Sequence, residues 1–442
     1  MSATHELVSF VCRLAPEELS EQVLGHACHI VLDLLGAAVA GARTPMAQAG
    51  LRFAHSQFRP GPASVIGSPD PLSPSGASWS NGIAASALDI DEGHRLAMGH
   101  PAATVVPAGL AIAESVKASG ADFLAAVVAG YEVSVRASVA RVPTYKDRQY
   151  SSGIWGVLGA AAAAGKLLGL DEDGLQSALG TAASHGPFPP AGPDANYSMA
   201  KEVIGWAGMT GCSAALLAEG GFTGPRNVLD YSGRWNTSDL IEGLGNEAPL
   251  AILSAYFKPY AVCRWAHAPI DATIRLAKEH DLQPHEVERV IVETFYEGTR
   301  LLDYAPETVV AAQFSIPFAL ALALSYRQLN PAQVSERNLR DPGLLQLARK
   351  VEVTVDQELN RLYPTQTAAR VTIETSRGRF QDRVDSPRGS PDNPLTEDEL
   401  LAKFHVLAAP VVGDHGADRI RDAVLGLPAL QDITALTGLL RF

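Results

Sequence analysis

The chain has 442 residues, 47% of them hydrophobic, with 48 acidic against 35 basic side chains and a net charge of −13. That length allows about two or three domains of ~150 residues, and the acidic balance without a basic stripe argues against a nucleic-acid partner. Cys12, Cys28, Cys212 and Cys263 form no CxxC and no paired spacing, so neither a disulfide framework nor a zinc site is expected. No basic leader with an apolar core opens the chain and no run of about 18 apolar residues stands out, so the expectation is a cytoplasmic protein without a membrane partner.

Apolar spacing predicts a helix over 5–14, a second beginning at Pro16, and a third capped by Thr44 and opened by Pro45. Residues 59–76 read as loop, with Ser64-Val65-Ile66 as a strand fragment, and 77–88 as a helix that delivers Asp89. After 101–113, Ser119-Gly120 reads as a helix end and Asp122 as the next start. Helices over 153–168, closed by Gly169, over 171–184 and over 203–219 complete the first part. From about residue 250 the pattern turns mixed. Strands are expected over 285–293, 350–356, 368–375 and 379–384, with Ser376-Arg377-Gly378 as a hairpin turn and helices over 269–279 and 306–326 between them. Thr396-Glu397-Asp398-Glu399 is a capping box that restarts helix. The fold expected is mostly α with an α+β part. A large helical domain over 1–250 would be completed by 389–442, and a smaller α+β lid over 251–388 would close on it.

The chemistry concentrates in ALDIDEGHRLAMGHPAATVVPAGLAIAE, residues 87–114. Asp89 and Asp91 stand beside Glu92 and His94, and His100-Pro101 opens an apolar helix whose free N–H groups and dipole would favour an anion. Carboxylates, imidazoles and an anion-binding helix start suit proton chemistry on a carboxylate substrate. Asp89, Asp91 and His94 also offer ligands a divalent ion would accept, but no second ligand cluster accompanies them, so no metal is expected. Lys201 stands at the start of a small-residue helix, where a cation is poorly placed unless an anion compensates it. Arg264 and His267 lie in an otherwise apolar, aromatic segment, and Tyr145 and Tyr150 in a polar break.

Six pieces, in order along nearly the whole chain, resemble the MmgE/PrpD family. They are DIDEGHRLAMGHPAA, Gly130-Tyr131-Glu132 with Arg136, GVLGAAAAAGKLLGL, MAKEVIGWAGMTGCSAALLAEGGFTGP, FKPYAVCRWAHAPIDA and AAQFSIPFALALAL. The resemblance implies a helical domain, a smaller α+β domain, a site between them, a homodimer, and cofactor-independent chemistry on a small polycarboxylate at a carbon next to a carboxylate. It implies that Asp89, Asp91, His100, Lys201 and Lys258 belong to the site. Gly93 stands where the family's dehydratases and decarboxylases usually have Thr, Tyr150 and Cys263 near His positions, and Phe318 near a Tyr.

These departures favour proton abstraction over hydration, so the expected activity is an epimerase of the iminodisuccinate type. A methylcitrate-type dehydratase is the alternative, and a non-catalytic carboxylate-binding protein a second one. The expected catalytic set is Lys201 with Tyr145 or Tyr150 as the acid/base pair, and His100 with Asp89 as a polarising dyad. Asp91, His94, Lys258, Arg264 and His267 are expected to bind substrate, and Lys201, Lys258, Arg264 and the His100 helix start to grip its carboxylates, since a developing enolate needs cations and N–H dipoles aimed at it.

Overall fold

The computed structural model describes residues 2–143, 151–189, 198–231, 233–245 and 249–442. Ser2, Ser20, Thr44, Ser119 and Asp171 each accept a hydrogen bond from the backbone N–H three residues on. They start the helices Ala3–Arg13, Glu21–Gly41, Pro45–Gln57, Gly120–Val139 and Glu172–His185, because such caps satisfy donors that a first turn leaves without partners. Pro16 opens only a short 3₁₀ turn, Pro16–Glu18. Leu19 is extended and Ser20, the better cap, begins the long helix. Ser119-Gly120 likewise begins a helix rather than ending one. The preceding helix, Pro101–Val116, stops where Lys117 turns left-handed.

The segment 64–66 is not a strand. Ser64 and Ile66 give their N–H groups to the side chains of Glu114 and Asn81, and the short strand β1 is Pro60–Ala63 just before them. Two other short strands, β2 (Gly93–His94) and β3 (Ala255–Tyr256), pair antiparallel with Gly93 opposite Tyr256. The main sheet holds β4 (Val287–Thr294), β5 (Val351–Val355), β6 (Ala369–Thr375) and β7 (Gly378–Val384), in the order β5-β4-β6-β7. β4 runs parallel to β5 and antiparallel to β6, and the β6–β7 hairpin turns at Gly378, whose φ of +138° suits glycine.

Among the described residues two apolar cores are the largest. One gathers helices from the first 240 residues together with Leu400, Phe404 and later C-terminal residues. The other lies between the sheet and the helices His267–Glu279 and Ile316–Tyr326. The helix Glu397–Leu425 serves both, Phe404 in the first and Leu407 in the second. Phe404 reaches Glu21–Gly41 at Gly36, where a Cβ would stand 3.0 Å from its ring. Contrary to the expectation that no such stretch stands out, Glu21–Gly41 could cross a membrane by length and composition, but most of it is buried in this core. Ala84 and Ala85 belong to the first core and Leu88 and Ile90 to the second, so the chain passes from one core to the other just before Asp89.

Candidate active site

Asp89 is held in the left-handed region, φ +52°, just beyond the helix Pro74–Ser86. Asp tolerates this conformation better than most residues, and both Asp89 and its neighbours Leu88 and Ile90 are buried. Lys258 Nζ lies 3.2 Å from Oδ2, Lys201 Nζ 3.7 Å from Oδ1, and His100 Nε2 3.9 Å from Oδ1. Burial alone would raise the Asp89 pKa, but Lys258, Lys201 and His100 together hold it at about 2. Lys258 is fully buried and makes this ion contact without a directed hydrogen bond.

His100 stands just before Pro101–Val116, and its backbone N–H donates to Ser152 Oγ at 3.0 Å. Its Nδ1–H points at the Glu92 carbonyl, 2.6 Å away, while Asp91 Oδ2 lies 3.1 Å off to the side. The shorter contact takes the proton's direction, and the Asp91 contact is ionic. Burial works against the imidazolium, yet Asp91 and then Asp89 raise its pKa to about 9. The nearer carboxylate partner of His100 is thus Asp91, not the Asp89 of the expected dyad.

The helix start beside it is not open to a ligand anion. Glu92 Oε1 accepts from Ala102 N–H at 2.7 Å, so the protein's own carboxyl fills that position. Glu92 Oε2 accepts from Tyr131 Oη at 2.8 Å, and burial pushes the Glu92 pKa up to about 8.

Lys201 is buried in a left-handed turn, φ +39°. Its ammonium donates to the Ser86 carbonyl at 2.7 Å and to Gln313 Oε1 at 2.9 Å, and Gln313 in turn donates to the Ala87 carbonyl at 3.0 Å. Asp89 is the anion that compensates a cation near a helix start. Gln313 reaches it because the expected helix over 306–326 is in fact two, Val309–Ala312 and Ile316–Tyr326, with Ser315 capping the second.

The opposite wall is built on Arg264. Its guanidinium donates to the carbonyls of Pro387 and Arg388 and to Ser390 Oγ, and lies 4.5 Å over the Tyr256 ring. His267 accepts from Arg264 at Nδ1 (3.2 Å) and donates from Nε2 to the Val262 carbonyl (3.1 Å); burial keeps it neutral.

These walls enclose a cavity of about 80 Å³, lined among others by Asp89, His94, Arg95, His100, Glu202 and Arg264. A larger cleft of about 810 Å³ lies between Lys403, Arg275, Arg383 and Arg388. There Arg275 is paired with Asp382, Arg383 with Asp385 and Glu358, and Arg388 with Glu399. The smaller cavity is the better candidate, because buried polar atoms around it lack directed partners: Lys258 Nζ, Arg264 Nε, Thr367 Oγ1 and Asp89 Oδ2. Among the described residues no three His, Cys, Asp or Glu side chains converge as metal ligands.

Models of the MmgE/PrpD N-terminal domain and of the MmgE/PrpD C-terminal domain match residues 5–243 and 260–428. The chain belongs to the MmgE/PrpD family. It is 30% identical to the cis-aconitate decarboxylase of Aspergillus terreus, covering 99% of this chain and 95% of that one. It is 28% identical to the cis-aconitate decarboxylase-like protein oryM of Aspergillus oryzae (99% and 97%) and 27% identical to the cis-aconitate decarboxylase of Homo sapiens (100% and 95%). Members of the family act on small carboxylates, and the relatives' names describe lyases rather than epimerases.

Within this MmgE/PrpD chain the expected site residues take different stations. Asp89, His94, His100 and Arg264 line the cavity. Asp91, Lys201 and Lys258 touch Asp89 or His100 from beneath. His267 has both ring nitrogens occupied and props Arg264 instead of gripping a carboxylate. His94 accepts from Ala97 N–H and burial lowers its pKa to about 4, so it is a neutral wall. Tyr145 and Tyr150 lie outside the described residues. Cys263 lines the cavity as a thiol, its pKa pushed by burial to about 12, and the cavity's aromatic from the Phe314–Phe318 stretch is Phe314, Phe318 being core.

Sequence reasoning missed Glu202, Ser152, Gln313, Arg95 and Tyr256. Glu202 Oε2 accepts from the backbone N–H and hydroxyl of Ser152, which carries the His100 backbone. Its position beside Lys201 was the available signal. The Gly130-Tyr131-Glu132 motif supports the site indirectly. Tyr131 holds Glu92, while Glu132 pairs with Arg136 and accepts from Ala251 N–H. Gly130 lets Gly120–Val139 cross the helix Gly153–Leu167 closely, a Cβ there standing 2.6 Å from the Gly159 carbonyl.

Proposed function

We propose that the chain is a lyase that moves a proton at a carbon next to a carboxylate of a small polycarboxylate, with cis-aconitate as the first substrate to test. The observation that carries this is His100: an imidazolium at the cavity wall whose Nδ1–H is held by the Glu92 carbonyl, leaving Nε2–H as the proton to deliver. In such a decarboxylation the C–C bond to one carboxylate breaks and its electron pair forms a new double bond. The original π pair then moves onto the carbon beside a remaining carboxylate. That carbon takes one proton, CO₂ leaves, and the charge balances. The transient charge is enolate-like, and cations fixed in advance around it lower the barrier.

Lys201 fits the role of such a fixed cation better than that of a base, since deprotonation would weaken its bonds to Ser86 and Gln313 and its attraction to Asp89. Lys258 sets the Asp89 charge, and Asp91 the charge of His100. The domain limits, with the site between a helical part and an α+β part, remain our reading, as does a homodimer. The epimerase expectation needs a second acid/base group across the substrate carbon, and its candidates, Tyr145 and Tyr150, fall outside the described residues. The relatives' names favour the lyase.

Incubation with cis-aconitate in D₂O tests the proposal. The expected result is CO₂ release and a product carrying one deuterium beside a carboxylate. Deuterium entering unchanged substrate without CO₂ would restore the epimerase reading, and water loss from a 2-hydroxy tricarboxylate the dehydratase one.

A further inference from the structure

Gly93 and Tyr256 face each other across the β2–β3 pair, and the tyrosine side chain folds over the glycine. A Cβ on residue 93 would stand 2.4 Å from Tyr256 Oη, 2.5 Å from Cζ and 2.9 Å from Cε2. No side chain fits there while the phenol does, so the glycine is a requirement of the tyrosine's position. Tyr256 is 4% exposed and lines the cavity, yet its hydroxyl has no hydrogen-bond partner among the described residues. On the cavity lining, a hydroxyl without a protein partner is free to donate to a ligand.

The surroundings say what ligand that is. Arg264 packs its guanidinium over the Tyr256 ring and keeps its Nε–H buried without an acceptor on the same wall. Its other nitrogens are spent on Pro387, Arg388, Ser390 and His267, which fixes its orientation. Burial raises the Tyr256 pKa far above the ordinary phenol range, so the group is a proton-bearing donor at every working pH. Two unmatched donors, one cationic, suit the two oxygens of a carboxylate.

We propose that Tyr256 is a substrate-contacting specificity residue, whose hydroxyl shares one substrate carboxylate with Arg264 and whose place in the cavity depends on Gly93. This deepens the polycarboxylate reading above and rests on it. Tyr256 thus governs which acids bind, while His100 governs whether the bound acid reacts.

The test compares wild type with Tyr256→Phe, which keeps the ring over Gly93 and removes only the hydroxyl. Binding of the unreactive propane-1,2,3-tricarboxylate is measured by calorimetry, and turnover of cis-aconitate by CO₂ release. Thermal melting of both proteins checks the fold. The expected result is a Kd and a KM raised by about ten- to a hundredfold, as for losing a hydrogen bond to a charged group, with a smaller fall in kcat. Unchanged Kd and KM would overturn the assignment and leave the lyase reading standing. A fall in kcat with Kd unchanged would also overturn it, by making Tyr256 a proton-transfer group. If wild type binds the tricarboxylate but releases no CO₂, the lyase reading fails while the Kd comparison still decides for or against Tyr256. If wild type binds no tricarboxylate at all, both fail. In the same assay Gly93→Ala, which must displace the phenol, is expected to raise Kd as Tyr256→Phe does.

Discussion

Two sets of charges in this molecule behave oppositely. On the sheet, Arg289 bridges from β4 to Glu352 on β5, and Arg370 on β6 lies near Glu293 and Asp356. Arg289 and Glu352 are about half exposed, so water and salt already satisfy them and little depends on the pairing. Under the cavity, Asp89 shares Lys258, Lys201 and His100 in a region from which water is largely removed. There no partner is dispensable, because a charge left alone in low dielectric has nothing to replace it. The sheet charges decorate a surface, whereas the cavity charges fix the protonation of Asp89, Asp91 and His100 and keep cations ready for an acid.

The largest effect is expected at His100. His100→Ala should lower kcat by about 10²–10⁴-fold, the range for losing a general acid, with a smaller effect on KM. Activity should also fall as pH rises through about 9, where the imidazolium loses its proton. The sign for stability follows the same group. Its folded pKa is raised above the ordinary 6.5, so its contribution is complete below about 6.5 and is lost as pH climbs through about 9. A pH–kcat profile without a fall near 9 would remove His100 as the acid.

Next is the contrast itself, measured by denaturation. Lys258→Met removes the fully buried partner of Asp89 and should cost about 3–5 kcal/mol, the usual penalty for stranding one member of a buried pair. Adding Asp89→Asn should return much of that loss while leaving the enzyme inactive. Arg289→Ala, the matching deletion on the sheet, should leave the denaturation midpoint within experimental error. Equal losses at the two sites would erase the distinction drawn here.

What could be read from the chain alone follows the range of the forces involved. The Thr44 cap, the β6–β7 hairpin and the Thr396 capping box act over three or four residues, and local pattern reveals them. Asp89, Asp91 and His100 lie within one short stretch, so their meeting was legible too. That His100 prefers Asp91 was not, because the choice depends on the Glu92 carbonyl that orients Nδ1. Lys201 and Lys258 reach Asp89 from more than a hundred residues away, and only the resemblance suggested it. The break at Gln313 and the seat of Tyr256 over Gly93 are tertiary facts with no local signature. Pro16 misled because a proline at a helix start and a proline in a 3₁₀ turn look alike until Ser20 is seen to cap.

The smallest effect, and the sharpest probe of how the cavity floor differs from an ordinary charge cluster, is at Glu92. Its carboxyl is fully buried, accepts from Ala102 N–H, and meets Tyr131 Oη. Burial raises its pKa from the ordinary 4.5 to about 8, so folding favours the protonated acid. The sign is therefore opposite to that of Asp89: this group takes stability away as pH rises from about 4.5, and its cost is complete above about 8. Glutamine keeps both contacts, its carbonyl accepting from Ala102 and its amide donating to Tyr131 Oη. Glu92→Gln should then melt with wild type at pH 5 and at a higher temperature than wild type at pH 9. If the variant is instead less stable at pH 9, the buried carboxylate is held as an anion by His100, and Glu92 joins Asp89 and Asp91 in fixing the imidazolium's charge.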